Sequence, residues 1–272
     1  MEHVLSAWLE VIKQLKSARH ILLLLDYDGT LTPIVERPEL ANLSEANRQL
    51  LKALARKNNF TVGIISGRAL EDLKNKVGIS NVIYAGNHGL EIEGPGIRFV
   101  NPLAEEFKPI LRIMHYVLSE ALRTIKGVWV ENKEFSLSVH YRMVNKKRTR
   151  EVKSIFERMV GGIQAAGKVK ITSGKKVFEV RPGIAWDKGN AIKMLMKKYG
   201  KGGRKSGLLP IYIGDDQTDE DGFKVIENYE RGLSILVGKQ GSHSAARYFL
   251  ESPAEVATFL SLLLDQAQRG LK

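Results

Sequence analysis

Ile21-Leu22-Leu23-Leu24-Leu25-Asp26-Tyr27-Asp28-Gly29-Thr30-Leu31 decides how this chain is read. The five apolar residues that open it show no polar alternation, so neither side of the segment faces water. Such a run suits a strand of a parallel sheet covered by helices on both faces. It stops at Asp26, and ligands of open α/β sheets gather beyond the carboxyl ends of the strands. Three further apolar runs stop the same way. Residues 60–65 end at Ser66-Gly67-Arg68, 82–85 at Gly86-Asn87-His88-Gly89, and 208–213 at Gly214-Asp215-Asp216. Residues 233–237 read as one more core strand.

Helical periodicity fills the gaps. Val4, Leu5, Trp8, Leu9, Ile12 and Leu15 predict an amphipathic helix over 4–17. Ser44 reads as the cap of a helix over 47–57, and further helices are expected at 69–76, 188–199 and 254–268. Strand and helix alternate, which means a parallel sheet with helices on its faces. After about residue 103 the pattern changes. A long helix is expected over 103–125, then a hairpin of 128–130 and 135–141. In the hairpin Phe135, Leu137, Val139 and Tyr141 alternate with Ser136, Ser138, His140 and Arg142, the mark of a one-sided antiparallel sheet. A helix over 147–165 and a second hairpin, 169–171 with 176–180, turned by Ser173-Gly174, complete this stretch. The expected fold is therefore α/β: a parallel-sheet core, residues 1–103 and 183–272, split by a smaller α+β unit at 104–182.

Composition narrows the function. The chain has 272 residues, 43% hydrophobic and 26% charged, and no low-complexity tract, which excludes a disordered or fibrous protein. The absence of cysteine excludes thiol nucleophiles, Cys-ligated zinc and iron–sulfur clusters. A net charge of +12 favours anionic partners: nucleic acid, an acidic membrane surface or a phosphorylated small molecule. The apolar run at 21–25 falls far short of the roughly 18 residues a membrane span needs. Glu2, Glu10, Lys13 and Lys16 interrupt any export signal, so a cytoplasmic protein without a membrane partner is expected.

The strand ends carry the chemistry. Asp26, Asp28, Ser66, Asn87, His88, Asp215 and Asp216 converge on one rim if the sheet is parallel, and Lys188 opens a helix of the same domain. An isolated Asp after a strand is a cap or turn residue. Several carboxylates, a hydroxyl and an amine at one rim fit phosphoryl transfer. Carboxylate oxygens are hard ligands that suit Mg²⁺, and Asp26 can attack phosphorus to form an aspartyl-phosphate. Asp28 can protonate the leaving oxygen and then activate water. Ser66 and Lys188 can bind the transferring oxygens. Asp215, with Asp216 or Asp219, would complete the metal site.

The set Asp26-x-Asp28-Gly29-Thr30-Leu31, Ser66, Lys188 and Gly214-Asp215-Asp216-x-x-Asp219 resembles the four motifs of the haloacid dehalogenase superfamily. The stretch 25–34, with Pro38 and Ala41, is similar to the trehalose-6-phosphate phosphatases. So are Ile65-Ser66-Gly67-Arg68, Ala85-Gly86-Asn87-His88-Gly89 and Phe178-Glu179-Val180-Arg181-Pro182. This resemblance implies a Rossmannoid core with an inserted cap that sets substrate specificity. It implies Asp26 as nucleophile and Asp28 as general acid/base. It places Mg²⁺ on Asp26, the backbone carbonyl of Asp28, and Asp215, with Asp216 beside them. It also implies phosphate contacts from Ser66, Gly67, Arg68 and Lys188, and sugar contacts from Asn87, His88, Glu131, Lys133, His140, Arg142 and Glu179.

Competing readings are a phosphatase of sucrose phosphate or of a glycosyl-phosphoglycerate, or a basic nucleic-acid module built on Lys146-Lys147-Arg148-Thr149-Arg150. No aromatic-interleaved RNA motif or helix-turn-helix pattern accompanies that basic run, so no nucleic-acid partner is expected. The expected protein is a monomer whose partner is a small sugar phosphate.

Overall fold

A computed structural model describes residues 1–174, 176–200, 207–229, 231–239, 241 and 243–269. The chain forms two compact units, Met1–Phe99 with Trp186–Lys272, and Val100–Ala185. Sequence patterning put these boundaries at 103/104 and 182/183.

In chain order the first segment contains β1 (Glu2–His3), α1 (Trp8–Ser17), β2 (His20–Leu25), α2 (Glu45–Ala55) and β3 (Phe60–Ile65). It continues through α3 (Leu70–Val77), β4 (Ile83–Gly86), β5 (Glu91–Gly94) and β6 (Ile97–Val100). The second unit follows with α4 (Pro102–Glu105), α5 (Lys108–Leu122), β7 (Trp129–Asn132), β8 (Leu137–His140), α6 (Thr149–Ala165), β9 (Val169–Gly174) and β10 (Val177–Pro182). The chain returns through α7 (Lys188–Tyr199), β11 (Leu208–Gly214), α8 (Glu220–Glu227), β12 (Leu233–Val237), β13 (Tyr248–Leu250) and α9 (Pro253–Arg269).

The large sheet has the order β1-β13-β12-β11-β2-β3-β4-β5-β6. Its pairs are parallel from β1 through β4. The central run explains itself. Ile21, Leu23 and Leu25 pack with Val11, Leu15, Leu51, Leu54, Phe259 and Leu263. Leu22 and Leu24 point the other way and pack with Ile192, Leu195, Phe223 and Ile226. Both faces of β2 are thus covered by helices. Each such side chain contributes about 1.5–3 kcal/mol of hydrophobic stabilisation.

Four expectations are corrected. The sheet is not wholly parallel: β5 joins β4 antiparallel, through a left-handed turn at Asn87-His88-Gly89 that lets the chain double back. The first helix starts at Trp8, because Glu2 and His3 pair with Tyr248 and Phe249 as an edge strand and Val4 is buried. The helix expected over 103–125 is two helices. Pro109 lies in the first turn of α5; deeper in a helix it would clash with the carbonyl of Glu105 and donate no N–H. Ser173 and Gly174 do not turn the second hairpin: they pair with Phe178 and Val177, and Lys176 takes the positive φ beyond them.

The second unit is a four-stranded antiparallel sheet, β7-β8-β10-β9, with α5 and α6 on one face. Leu137, Val139, Phe178 and Val180 form its core with Leu111, Leu118, Val152 and Phe156. The intervening residues of these strands lie on the other face.

Candidate active site

Asp26 follows the last residue of β2, and its backbone N–H donates to the Ile213 carbonyl at 2.9 Å. The ends of the two central strands are thereby tied together. Lys188 is the first residue of α7, a helix capped by the Asp187 carboxylate accepting from the Asn190 N–H. Its ammonium donates to Asp26 Oδ1 at 2.6 Å and to Asp219 Oδ1 at 2.7 Å. Asp219 Oδ1 also accepts from the Tyr212 hydroxyl. Asp219 Oδ2 accepts from the backbone N–H groups of Asp215 (2.9 Å) and Asp216 (3.0 Å). Asp26, Lys188, Tyr212 and Asp219 are all buried.

Burial pushes the Asp26 carboxyl well above the usual carboxylate range. Lys188 opposes that shift, while Asp219, Asp215 and Asp216 reinforce it. Burial works against the Lys188 ammonium too, but Asp219 and Asp26 outweigh it and hold its proton well above the ordinary lysine value. One ammonium thus serves a carboxylate-rich pocket, and the negative excess calls for a second cation.

The oxygens of Asp26, Asp215 and Asp219 approach within 4.8 Å of one another. All are hard donors, which fits Mg²⁺ better than a soft metal. Asp219 already receives four donors, so Asp26 and Asp215 are the side chains that fit a cation and Asp219 stands behind them. Gly29 has φ +95°, and a Cβ there would collide with the Asp215 carboxylate. That close approach sets Asp215 against the Asp28-Gly29 backbone. Asp216 does not join the cluster. Its Oδ1 accepts from the Thr218 N–H (2.8 Å) and hydroxyl (2.7 Å). Burial raises its proton affinity, but Lys188 and those Thr218 bonds prevail and hold it below the usual range.

Asp28 belongs to a different network. Arg68 Nε donates to its Oδ2 and Nη2 to its Oδ1, each at 2.7 Å. Arg68 also donates to Asp72 Oδ2 (2.7 Å) and the Pro38 carbonyl (2.8 Å), and its guanidinium lies over the Tyr27 ring. Arg68 therefore holds Asp28 where a phosphate ligand was expected. Ser66 is buried; its Oγ accepts from the Arg68 N–H at 3.2 Å and keeps its own proton to donate. Asn87 and His88 both have positive φ and brace this loop through Asn87 N–H to the Arg68 carbonyl (2.7 Å) and His88 N–H to the Ser66 carbonyl (2.9 Å). The His88 ring lies against Gly67, where a Cβ would meet Nε2 at 2.8 Å.

In the second unit, Trp129 pairs with His140, Glu131 and Glu179 both flank Ser138, and Glu179 pairs with Thr172. Residues paired across strands share a face, so these form one polar surface opposite the helices. His140 Nε2 and Glu131 Oε2 are 2.8 Å apart, and the His140 ring stacks on Trp129 at 4.3 Å. Lys133 and Arg181 lie 3.6 Å and 3.7 Å from Glu179. Arg142 is not on the hairpin strand: β8 ends at His140, and Arg142 falls in the turn after it.

Tyr212, Asp72, Trp129 and Arg181 were not singled out from the sequence. Asp72 was within reach, since it stands four residues after Arg68 at helical spacing. Trp129 stands opposite His140 once the hairpin register is drawn. Tyr212 gave no signal beyond a hydroxyl inside an apolar strand.

The family model described as Trehalose-phosphatase matches residues 24–254. Probable trehalose-phosphate phosphatase D of Arabidopsis thaliana is 39% identical over 272 aligned residues, covering 97% of this chain and 72% of the relative. Trehalose 6-phosphate phosphatase RA3 of Zea mays is 40% identical over 261, covering 91% and 71%. The C-terminal domain of the Candida albicans trehalose-6-phosphate phosphatase superposes with a TM-score of 0.80. At 24% identity, over 94% of this chain and 96% of that one, it speaks for the fold.

Proposed function

We infer, from the premise that this chain belongs to the trehalose-phosphatase family, that it hydrolyses trehalose 6-phosphate to trehalose and inorganic phosphate through an aspartyl-phosphate on Asp26, with Mg²⁺ as its cation. The observation that carries this reading is the bridge of Lys188 between Asp26, at the end of β2, and Asp219, at the start of α8.

Asp26, with Asp215 and the Asp28 backbone carbonyl, would hold the cation. When bound, it neutralises charge on the carboxylates and the phosphate, so that two anions can meet. Asp26 contributes an oxygen that bonds to phosphorus while the bridging P–O bond to the sugar breaks. The sugar oxygen leaves with that electron pair and takes the proton of Asp28. Lys188 and the Ser66 hydroxyl stabilise the equatorial oxygens where charge accumulates. Water then attacks phosphorus, Asp28 accepts its proton, and the P–O bond to Asp26 breaks to release inorganic phosphate.

In this reading the second unit is a cap that supplies specificity. Glu131 and Glu179 accept hydrogen bonds from sugar hydroxyls, His140 and Arg181 orient them, and Lys133 adds positive charge beside Glu179. A phosphate-binding core cannot by itself distinguish trehalose 6-phosphate from glucose 6-phosphate.

The test is phosphate release from trehalose 6-phosphate, sucrose 6-phosphate, glucose 6-phosphate and a glycosyl-phosphoglycerate, with and without Mg²⁺. The proposal expects trehalose 6-phosphate to have the highest kcat/KM and to require the metal. A higher kcat/KM for another sugar phosphate reassigns the substrate.

A further inference from the structure

Four of the five N–H donors of Arg68 are committed within the protein. Two nitrogens fork onto both oxygens of Asp28, a third reaches Asp72, Nη2 also donates to the Pro38 carbonyl, and the Tyr27 ring lies against the guanidinium. Arg68 is 7% exposed, whereas the Asp28 side chain is 37% exposed. The backbone on either side is pinned as well: the Arg68 N–H donates to Ser66 Oγ and the Arg68 carbonyl accepts from the Asn87 N–H.

We propose that Arg68 and Asp72 are positioning residues for Asp28, a role that rests on the reading of Asp28 as proton carrier. A planar fork accepted by both oxygens fixes the plane of the carboxylate as well as its location. Asp72 secures the far side of the guanidinium, so the fork cannot swing. Each Asp28 oxygen keeps one lone-pair direction outside the fork, and the half-exposed side of the carboxylate is where a leaving oxygen can meet it. Misplacing a catalytic group by about 1 Å costs on the order of a hundredfold in rate. Turning either fork nitrogen onto phosphate instead would break its charge-assisted bond to Asp28.

The roles separate by leaving group. A sugar alkoxide needs a proton to depart and p-nitrophenolate does not, so kcat/KM for an alkyl phosphate relative to the aryl phosphate reports how well Asp28 is placed. Arg68→Lys keeps the charge and loses the fork. Asp72→Asn weakens the anchor at a half-exposed position that is safe for folding. Each is measured on trehalose 6-phosphate and p-nitrophenyl phosphate, in the wild-type and Asp28→Asn backgrounds, together with the inhibition constant of inorganic phosphate.

The alkyl-to-aryl ratio of kcat/KM is expected to fall at least about tenfold in Arg68→Lys and about threefold in Asp72→Asn. Inhibition by phosphate should stay within about twofold of wild type, and neither substitution should lower the ratio further once Asp28 is Asn. Weakened phosphate inhibition with an unchanged ratio would make Arg68 a phosphate ligand and overturn the proposal. Equal losses on both substrates, or additive losses in the Asp28→Asn background, would make both residues structural. If Arg68→Lys fails to fold, Asp72→Asn decides alone. A wrong substrate assignment shows instead in the wild-type enzyme, and the comparison then runs on whichever alkyl phosphate it turns over.

Discussion

Lys188 Nζ lies between Asp26 Oδ1 and Asp219 Oδ1, at 2.6 Å and 2.7 Å, and the lysine is only 2% exposed. Asp26 comes from the end of β2, Asp219 from the turn that leads into α8 and the ammonium from the start of α7, so one side chain joins three separate elements. Removing the cation leaves two buried carboxylates facing each other, and breaking a buried ion pair costs about 3–5 kcal/mol. Lys188→Met is therefore expected to lower the denaturant midpoint and cut phosphate release by at least about a hundredfold. A variant with wild-type stability and turnover would remove Lys188 from the site.

Tyr212 makes a separable contribution. Its hydroxyl is one of four donors to Asp219. Tyr212→Phe keeps the ring among its apolar neighbours and deletes that donor. A hydrogen bond to a charged group is worth about 1.5–3 kcal/mol, which is the loss expected in urea unfolding. An unchanged unfolding free energy would show that the other three donors suffice.

The cation can be followed without turnover. Mg²⁺ at 100 times its dissociation constant should stabilise the folded state by about 2.7 kcal/mol, seen as a higher melting temperature that EDTA reverses. Asp215→Asn should abolish the Mg²⁺-induced shift. A shift of equal size in that variant would put the metal elsewhere.

The polar face of the second unit carries the specificity prediction. Glu131→Ala or Glu179→Ala should lower kcat/KM for trehalose 6-phosphate at least about tenfold. Activity on p-nitrophenyl phosphate should fall much less, since that substrate lacks the sugar. Equal losses on both substrates would assign these residues to folding instead.

What the sequence displayed and what it hid follow from the physics of each element. The run 21–25 was legible because burial on both faces leaves no polar residue to confuse the period. Positions at strand ends were legible because a parallel sheet brings every carboxyl end to one edge. The pairing among those positions was not, since it depends on side-chain direction. Arg68 and Asp28 are 40 residues apart and nothing local shows that one forks onto the other. Asp216 and Asp219 were open alternatives from spacing, and the turn at 215–219 separates them by sending Asp216 to Thr218 and Asp219 to Lys188. The short strands β1 and β6 at the two edges of the sheet, and β13 and β5 beside them, were missed because two to four residues are too few to show a period.

Covalent chemistry at Asp26 is the centre of this account, and rapid acid quenching during turnover of ³²P-labelled trehalose 6-phosphate measures it most directly. Wild-type protein should carry acid-stable, hydroxylamine-labile label on the peptide containing Asp26, and Asp26→Asn should carry none while retaining its fold by circular dichroism. Phosphate release by wild type without label on that peptide, or normal turnover by the folded Asp26→Asn variant, would contradict the assignment of Asp26 as nucleophile.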